Sequence, residues 1–158
     1  MAEIWQSKTV IAHTACLAHS LRHFTGRGLP LPAAGENVDQ IGLAQRLFEA
    51  SFVVVSHGTE ANPVLNYGNR AALSLWEMSW EELTQTPSRF TAEAPDREER
   101  ARLLAQVTAK GFIDDYTGVR ISKTGRRFRI QRATVWNLIT PEGKPCGQAA
   151  MFDRWEFI

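Results

Sequence analysis

The sequence predicts an α+β domain: a five-stranded antiparallel sheet packed by short helices, with an N-terminal helical extension. Three observations carry this. Two short β-rich segments occur early in the chain, a run of helix-capping signals follows them, and three longer segments with strand-like alternation and turn residues between them close it. Strands, then helices, then strands in sequence imply one sheet covered by helices rather than a parallel α/β fold.

The elements follow in order. From Ala2 to Phe24, Val10, Thr14, Leu17, Leu21 and Phe24 recur at steps of three and four, which is one stripe on a helix, and Gly26 and Gly28 stop it. Gly26 to Asn37 holds glycines and prolines without periodicity and reads as a linker, so residues 1–36 form a helix and linker and residues 37–158 the main domain. Asn37 or Asp39 caps a second helix with Ile41, Ala44, Leu47 and Phe48 on its buried face. Phe52 to Val55 is β-branched and too short for a helix, hence a buried first strand, and Val64 to Tyr67 is a brief second one. Asn69 caps a helix that buries Ala72, Leu73 and Trp76; Ser79 to Glu82 has capping-box spacing for another, which Pro87 ends. Asp96 opens a longer helix that buries Leu103, Leu104 and Val107 and stops at Gly111. Strands are then expected near Ile113–Ser122, Arg127–Leu138 and Cys146–Phe157.

If Thr124-Gly125 is a two-residue turn, Lys123 opposes Arg126 and the register of the first hairpin is fixed. Ile121, Val119, Thr117, Asp115 and Ile113 then face the core with Phe128, Ile130, Arg132, Thr134 and Trp136. Arg120 falls on the wet face with Arg129.

Composition narrows the function classes. Eighteen basic against 17 acidic residues leave a net charge of +1, which supplies no global field for nucleic acid or anionic lipid. Arg120, Arg126, Arg127 and Arg129 cluster on one hairpin, but without interleaved aromatics they read as a solvated edge, and nucleic-acid binding is not expected. No apolar run has the length of a membrane span and the first residues lack a signal-peptide pattern, so a cytoplasmic location is expected, with no membrane partner. Cys16 and Cys146 are far apart in sequence and form no C-x-x-C, so two reduced thiols are expected rather than a zinc site or a disulfide.

The fragments NYGNRAAL, SWEEL, KTGRRF and TPEGKPCGQ, in this order of elements, resemble PAS domains. More closely, SHGTEANPVLNYGNRAALSLWE, PSRFTAE and GFIDDYTGVRISKTGRRFRIQRATVWN resemble the MEKHLA family, a PAS-like group found alone in bacteria and at the end of plant homeodomain leucine-zipper transcription factors. The resemblance runs from about Gln40 to the C-terminus and its motifs are long and contiguous. It implies a PAS-like fold and a role in sensing or in controlling association, and it carries over no ligand and no catalytic residue. With no homeodomain and no zipper in this sequence, the stand-alone bacterial kind is expected and the plant members' DNA-binding role is not.

Eight residues are candidates for ligand binding. Asp115 and Arg132 share the expected inner face, where charges are costly unless paired, and an inward arginine suits a carboxylate; the competing reading is a structural ion pair. His57 follows the first strand beside Glu60, where an imidazole can bind a ligand or simply fix the loop. Tyr67, Trp76 and Trp136 can line a cavity, with Asn69 and Gln148 as its polar groups, or can serve as ordinary core. Gln148 on the last strand resembles in position the glutamine that flavin-binding PAS relatives direct at the ring. The reactive-cysteine motif of the photosensory members is missing, and no histidine between Arg70 and Lys110 offers itself to a haem. His19 and His23 stand at i and i+4 on the first helix without a third ligand, and no metal is expected.

No catalytic constellation emerges: Ser56 beside His57 is no triad by adjacency, and the chain lacks a G-x-S-x-G elbow. The function expected is a sensory or ligand-binding module in which an unidentified small molecule influences self- or partner association. The alternatives are a small enzyme using the same cavity as a reaction chamber, and a pocketless interaction domain. The cofactor is left unassigned. The apolar stripe of the first helix must be buried somewhere, and a homodimer through that helix is the expected solution, with docking in cis as the other.

Overall fold

The computed structural model of the chain describes residues 3–31 and 39–158. Asn37, the stretch around it and the boundary at 36/37 lie outside the described residues.

The helix α1, Lys8–Thr25, starts at Ser7, whose hydroxyl accepts from the Val10 N–H, and ends at Gly26 in the left-handed conformation. Helix α2, Gln40–Glu49, is capped by Asp39. Ile41, expected on its buried face, is instead 52% exposed, while Ala44, Leu47 and Phe48 are buried. Strands β1, Val53–His57, and β2, Leu65–Gly68, form the short leading pair. Helix α3, Arg70–Trp76, is capped by Asn69, and the single turn α4, Trp80–Leu83, carries the capping box of Ser79 and Glu82. Helix α5, Ala94–Lys110, ends at Gly111. The chain closes with β3, Phe112–Ile121, β4, Arg127–Ile139, β5, Pro145–Phe152, and β6, Arg154–Phe157.

The sheet order is β2-β1-β5-β4-β3, every pairing antiparallel, and β6 continues along β4 where β5 leaves off. The last expected strand is thus present but broken at Asp153 into two pieces that pair with the two halves of β4. One face of the sheet carries Val53, Phe128, Ile130, Ala133, Val135 and Phe152 against Trp76 of α3 and Leu103 and Val107 of α5. The other carries Val54, Tyr67, Trp136 and Leu138 against Val10, Leu17 and Leu21 of α1 and Leu47 of α2. The stripe on α1 is therefore buried in cis, with Leu17 and Leu21 at 0% and 1% exposure. The physical reason for expecting a dimer through that stripe is removed.

The first hairpin departs from expectation in a way that decides the site. Its loop has three residues, not two: the Ser122 N–H donates to the Arg126 carbonyl, the Gly125 N–H donates to the Ser122 carbonyl, and Gly125 sits at φ +90°. A turn followed by a left-handed residue is the standard three-residue hairpin loop. Ile121 accordingly pairs with Arg127, Arg120 with Phe128 and Gly118 with Ile130, one residue off the expected register. Two further irregularities, one in each strand, lie at Arg132 and Asp115, with φ of 54° and 57°; between them Tyr116 faces Ala133 before the shifted register resumes at Ile113 with Val135. These are compensating single-residue bulges. Because side chains alternate, the one-residue slip inverts β3: Tyr116, Arg120 and Ser122 point inward and are buried, whereas Asp115 is exposed; on β4 Phe128 and Ile130 face inward as expected, and it is the bulge that leaves Arg132 exposed.

Candidate functional site

Between the α3–α5 layer and the inner face of the sheet lies a cavity of about 60 Å³. Val55, Leu65, Leu103, Ile130, Val135 and Phe152 give it a mainly apolar wall. Its polar groups come from four elements: His57 at the end of β1, Arg100 on α5, Tyr116 and Arg120 on β3, and Gln148 on β5, with Ser88 and Thr91 from the turn before α5.

Arg120 is 6% exposed. Its Nη1 donates to the Val119 carbonyl at 2.8 Å and its Nη2 to the Tyr116 hydroxyl at 3.2 Å. The Tyr116 hydroxyl in turn donates to Glu99 Oε2 at 2.9 Å. This arrangement needs Gly118: a Cβ there would lie 2.3 Å from the Tyr116 oxygen, so the glycine lets the tyrosine fold back over its own strand. Arg100 Nη2 donates to Ser88 Oγ. Burial, and then the neighbouring Arg120 charge, bring the Arg100 pKa down to about 10. Burial likewise pushes the Tyr116 phenol above its ordinary range.

His57 is 8% exposed, and its Nδ1 lies 2.9 Å from the Gly58 carbonyl. A carbonyl can only accept, so Nδ1 carries the proton; burial lowers the pKa and keeps the ring neutral, which leaves Nε2 as an acceptor. His57 Nε2 and Trp76 Nε1 are buried without a hydrogen-bond partner among the described residues, and both residues line the cavity. Gln148 Nε2 reaches the Leu104 carbonyl, Thr108 Oγ1 and Asn137 Oδ1 at 3.0–3.1 Å, tying β5 to α5. His57 and Gln148 also line a second, more open groove of about 620 Å³ beyond the cavity, so they stand between the two.

Of the eight sequence candidates, the structure brings His57, Trp76 and Gln148 to one cavity. Tyr67 and Trp136 are wholly buried on the opposite face of the sheet, in the cluster under α1. Asn69 is also fully buried, and all of its hydrogen-bonding capacity is spent inside the fold: Oδ1 accepts from the Val54 and Ala72 N–H groups, and Nδ2 donates to the Leu47 and Phe52 carbonyls. Asp115 and Arg132 do not pair and face solvent; the neighbouring Asp114 pairs instead with Arg27, at 2.7 Å, beyond the end of α1. Sequence reasoning missed Arg100, Tyr116, Arg120 and Ser88. The signal available for Arg120 was the glycine of K-T-G-R, which suits a three-residue loop as well as a two-residue one.

Two other contacts link sequence-distant residues. Cys16 and Cys146 are free thiols, yet their Sγ atoms are 3.6 Å apart across the α1–β5 junction. His13 Nε2 lies 2.8 Å from Ser56 Oγ, whose proton goes to Asn66 Oδ1 at 2.5 Å. That places the histidine as donor and makes the group a tie between α1 and β1.

A flavin does not fit the cavity. Sites for ligands of that size occupy roughly 300 Å³ or more, and no thiol lines this one among the described residues.

Solved structures with this architecture include the PAS domain of a Colwellia psychrerythraea protein, with TM-score 0.60, 14% identity, and coverage of 73% of this chain and 92% of that one. An RNA-binding light-oxygen-voltage receptor aligns with TM-score 0.58 and 16% identity over 80% of this chain and 36% of its own. At these identities the likeness shows the fold. Among curated proteins, the homeobox-leucine zipper protein ATHB-14 of Arabidopsis thaliana is 26% identical over 63% of this chain and 12% of its own length. HOX32 of Oryza sativa subsp. indica is 24% identical over 93% of this chain and 17% of its own. The chain thus spans less than a fifth of the relatives it matches. The expectation of a bacterial protein is corrected by these matches, which are to plant homeobox-leucine zipper proteins. The MEKHLA domain matches residues 11–157, nearly the whole sequence, and this chain belongs to the MEKHLA domain family.

Proposed function

We propose that this PAS-like sensory domain takes up a small molecule in the cavity between α5 and the sheet, and that occupancy alters how the domain associates. The observation that carries the reading is the set of polar groups converging on an otherwise apolar cavity: the buried Tyr116, Arg120, His57 and Trp76 with the half-buried Arg100, two of them with a nitrogen unpartnered among the described residues. Buried polar groups without partners are costly, and four elements contribute to this set, which ordinary core packing does not require.

The association half is supported by the connection through β1. His57 lines the cavity, and its neighbour Ser56 is hydrogen-bonded to His13 of α1 on the other side of the sheet. A ligand that shifts the end of β1 acts on α1 through that bond. With the apolar stripe buried in cis, self-association through α1 uses one of its other faces.

The reading is of a binding module rather than an enzyme. The serine nearest to a histidine, Ser56, gives its proton to Asn66 rather than to His13, and the Tyr116 hydroxyl, which donates to Glu99, also accepts from Arg120, so both hydroxyls are engaged in structural ties. Native mass spectrometry of the purified chain is the direct test. A retained mass that disappears on denaturation is expected, with a change in sedimentation when it is removed. A bare mass, together with no thermal response to any small molecule, refutes the reading.

A further inference from the structure

Resting on that reading, we propose that the ligand is a small carboxylate, its head held between the guanidinium groups of Arg100 and Arg120 and its short carbon part against Trp76 and the aliphatic wall. Both arginines line the cavity, and among the described residues neither is in ion-pair contact with a carboxylate. Glu99 reaches Arg120 only indirectly, through the Tyr116 hydroxyl. Two guanidinium groups thus line the cavity without a direct carboxylate partner among the described residues, and for the buried Arg120 that is expensive unless something supplies a counter-charge.

The hydrogen-bonding inventory points the same way. A guanidinium has five N–H donors in a planar fork. Arg120 uses two on Val119 and Tyr116, and Arg100 one on Ser88, so most of the fork remains for a planar, two-oxygen acceptor. The Trp76 indole N–H is a further free donor of the right kind. His57 is neutral and contributes an acceptor at Nε2, so the site holds two cations rather than three.

Size and lining then select among anions. About 60 Å³ is room for a few heavy atoms, given that a water molecule in the liquid occupies roughly 30 Å³. The aliphatic and aromatic wall rewards a ligand with some apolar surface. Inorganic phosphate carries more charge than the site lacks and offers no apolar surface, so a short monocarboxylate is the better match.

The test is thermal melting and isothermal titration of the full chain with sodium acetate, propionate and pyruvate. Sodium chloride at matched ionic strength, acetamide and inorganic phosphate serve as comparisons. A saturable rise in midpoint with the carboxylates is expected, reaching roughly 5–10 °C at about a hundred times the dissociation constant, with chloride and acetamide inert. Arg120→Met and, separately, Arg100→Gln should weaken carboxylate binding at least about tenfold, a loss typical of charge-assisted hydrogen bonds. Arg132→Met, at an exposed arginine on the next strand, should bind as the parent does. Equal stabilisation by acetamide or by phosphate, or unaltered binding in both Arg100 and Arg120 variants, overturns the proposal. If native mass spectrometry finds a neutral retained molecule while carboxylates do nothing, the carboxylate assignment falls and the small-molecule reading stands. If the mass is bare and nothing shifts the midpoint, both fall.

Discussion

Asn69 shows how much one side chain can fix. Its carboxamide has two donors and two acceptor sites, and the fold uses all four: the N-terminus of α3 through the Ala72 N–H, the β1 backbone through the Val54 N–H and Phe52 carbonyl, and the end of α2 through the Leu47 carbonyl. Asn69→Ala strands these groups in a fully buried place and is expected to cost about 3–5 kcal/mol, read as a lowered urea midpoint with an unchanged slope. A loss below about 1 kcal/mol would mean that water replaces the amide. The capping role was legible from Asn69-Arg70-Ala71-Ala72, because a cap is local. The ties to β1 and α2 were not, because they join residues 15 to 22 positions away. The thiol of Cys146 gives a second test at this scale. Burial, reinforced by the adjacent Cys16, pushes its pKa up to about 12. Alkylation of Cys146 by iodoacetamide at pH 8, followed by peptide mass spectrometry, should be at least about tenfold slower than that of free cysteine and should accelerate as pH rises. A rate equal to free cysteine would show the pair to be open.

The β3–β4 hairpin is the element on which the site turns. Its strands, its turn and its amphipathic character are readable from alternation and from Gly125, but its facing is not, because a two- and a three-residue loop both accommodate that glycine. The difference of one residue brings Arg120 inward, and the bulge at Arg132 turns that arginine out while Phe128 and Ile130 keep their expected facing. The bulge at Arg132 leaves no signature in residue type either, since it places an arginine at positive φ, and at Asp115 the signal is weak, an aspartate being tolerated there but common elsewhere. Two substitutions at Arg132 follow from this geometry. Arg132→Ala removes an exposed side chain and should move the urea midpoint by no more than about 0.5 kcal/mol in equivalent stability, whereas Arg132→Gly relieves the left-handed backbone and should be neutral or mildly stabilising. A loss of several kcal/mol in Arg132→Ala would restore the other register, with Arg132 inside.

At the scale of the whole molecule, the sheet separates two layers: the cavity lies on one face, and α1 with α2 covers the other. The order of elements, and with it the PAS-like fold, was legible in the sequence; the docking of α1 on its own sheet was not, and a dimer through α1 was expected instead, because an apolar stripe does not say which surface will cover it. The seam between α1 and the sheet contains a titrating group. His13 is hydrogen-bonded to Ser56, its ring centroid is 5.6 Å from that of Tyr67, and burial lowers its pKa from 6.5 to about 4. The unfolded chain therefore binds a proton at His13 across that interval and the folded chain does not. Stability falls as pH drops from about 6.5 to about 4, with the loss complete below that, on the order of 3 kcal/mol from this residue. His57, also lowered by burial, acts in the same direction. Urea midpoints should decline over this window, and hydrogen exchange should show α1 losing protection before β4 and β5, because the charge develops at the α1 seam. His13→Gln keeps a donor for Ser56 without the titration and should flatten the decline while leaving stability at pH 7 nearly unchanged. An equally steep decline in His13→Gln would assign the acid sensitivity to other groups and detach it from α1.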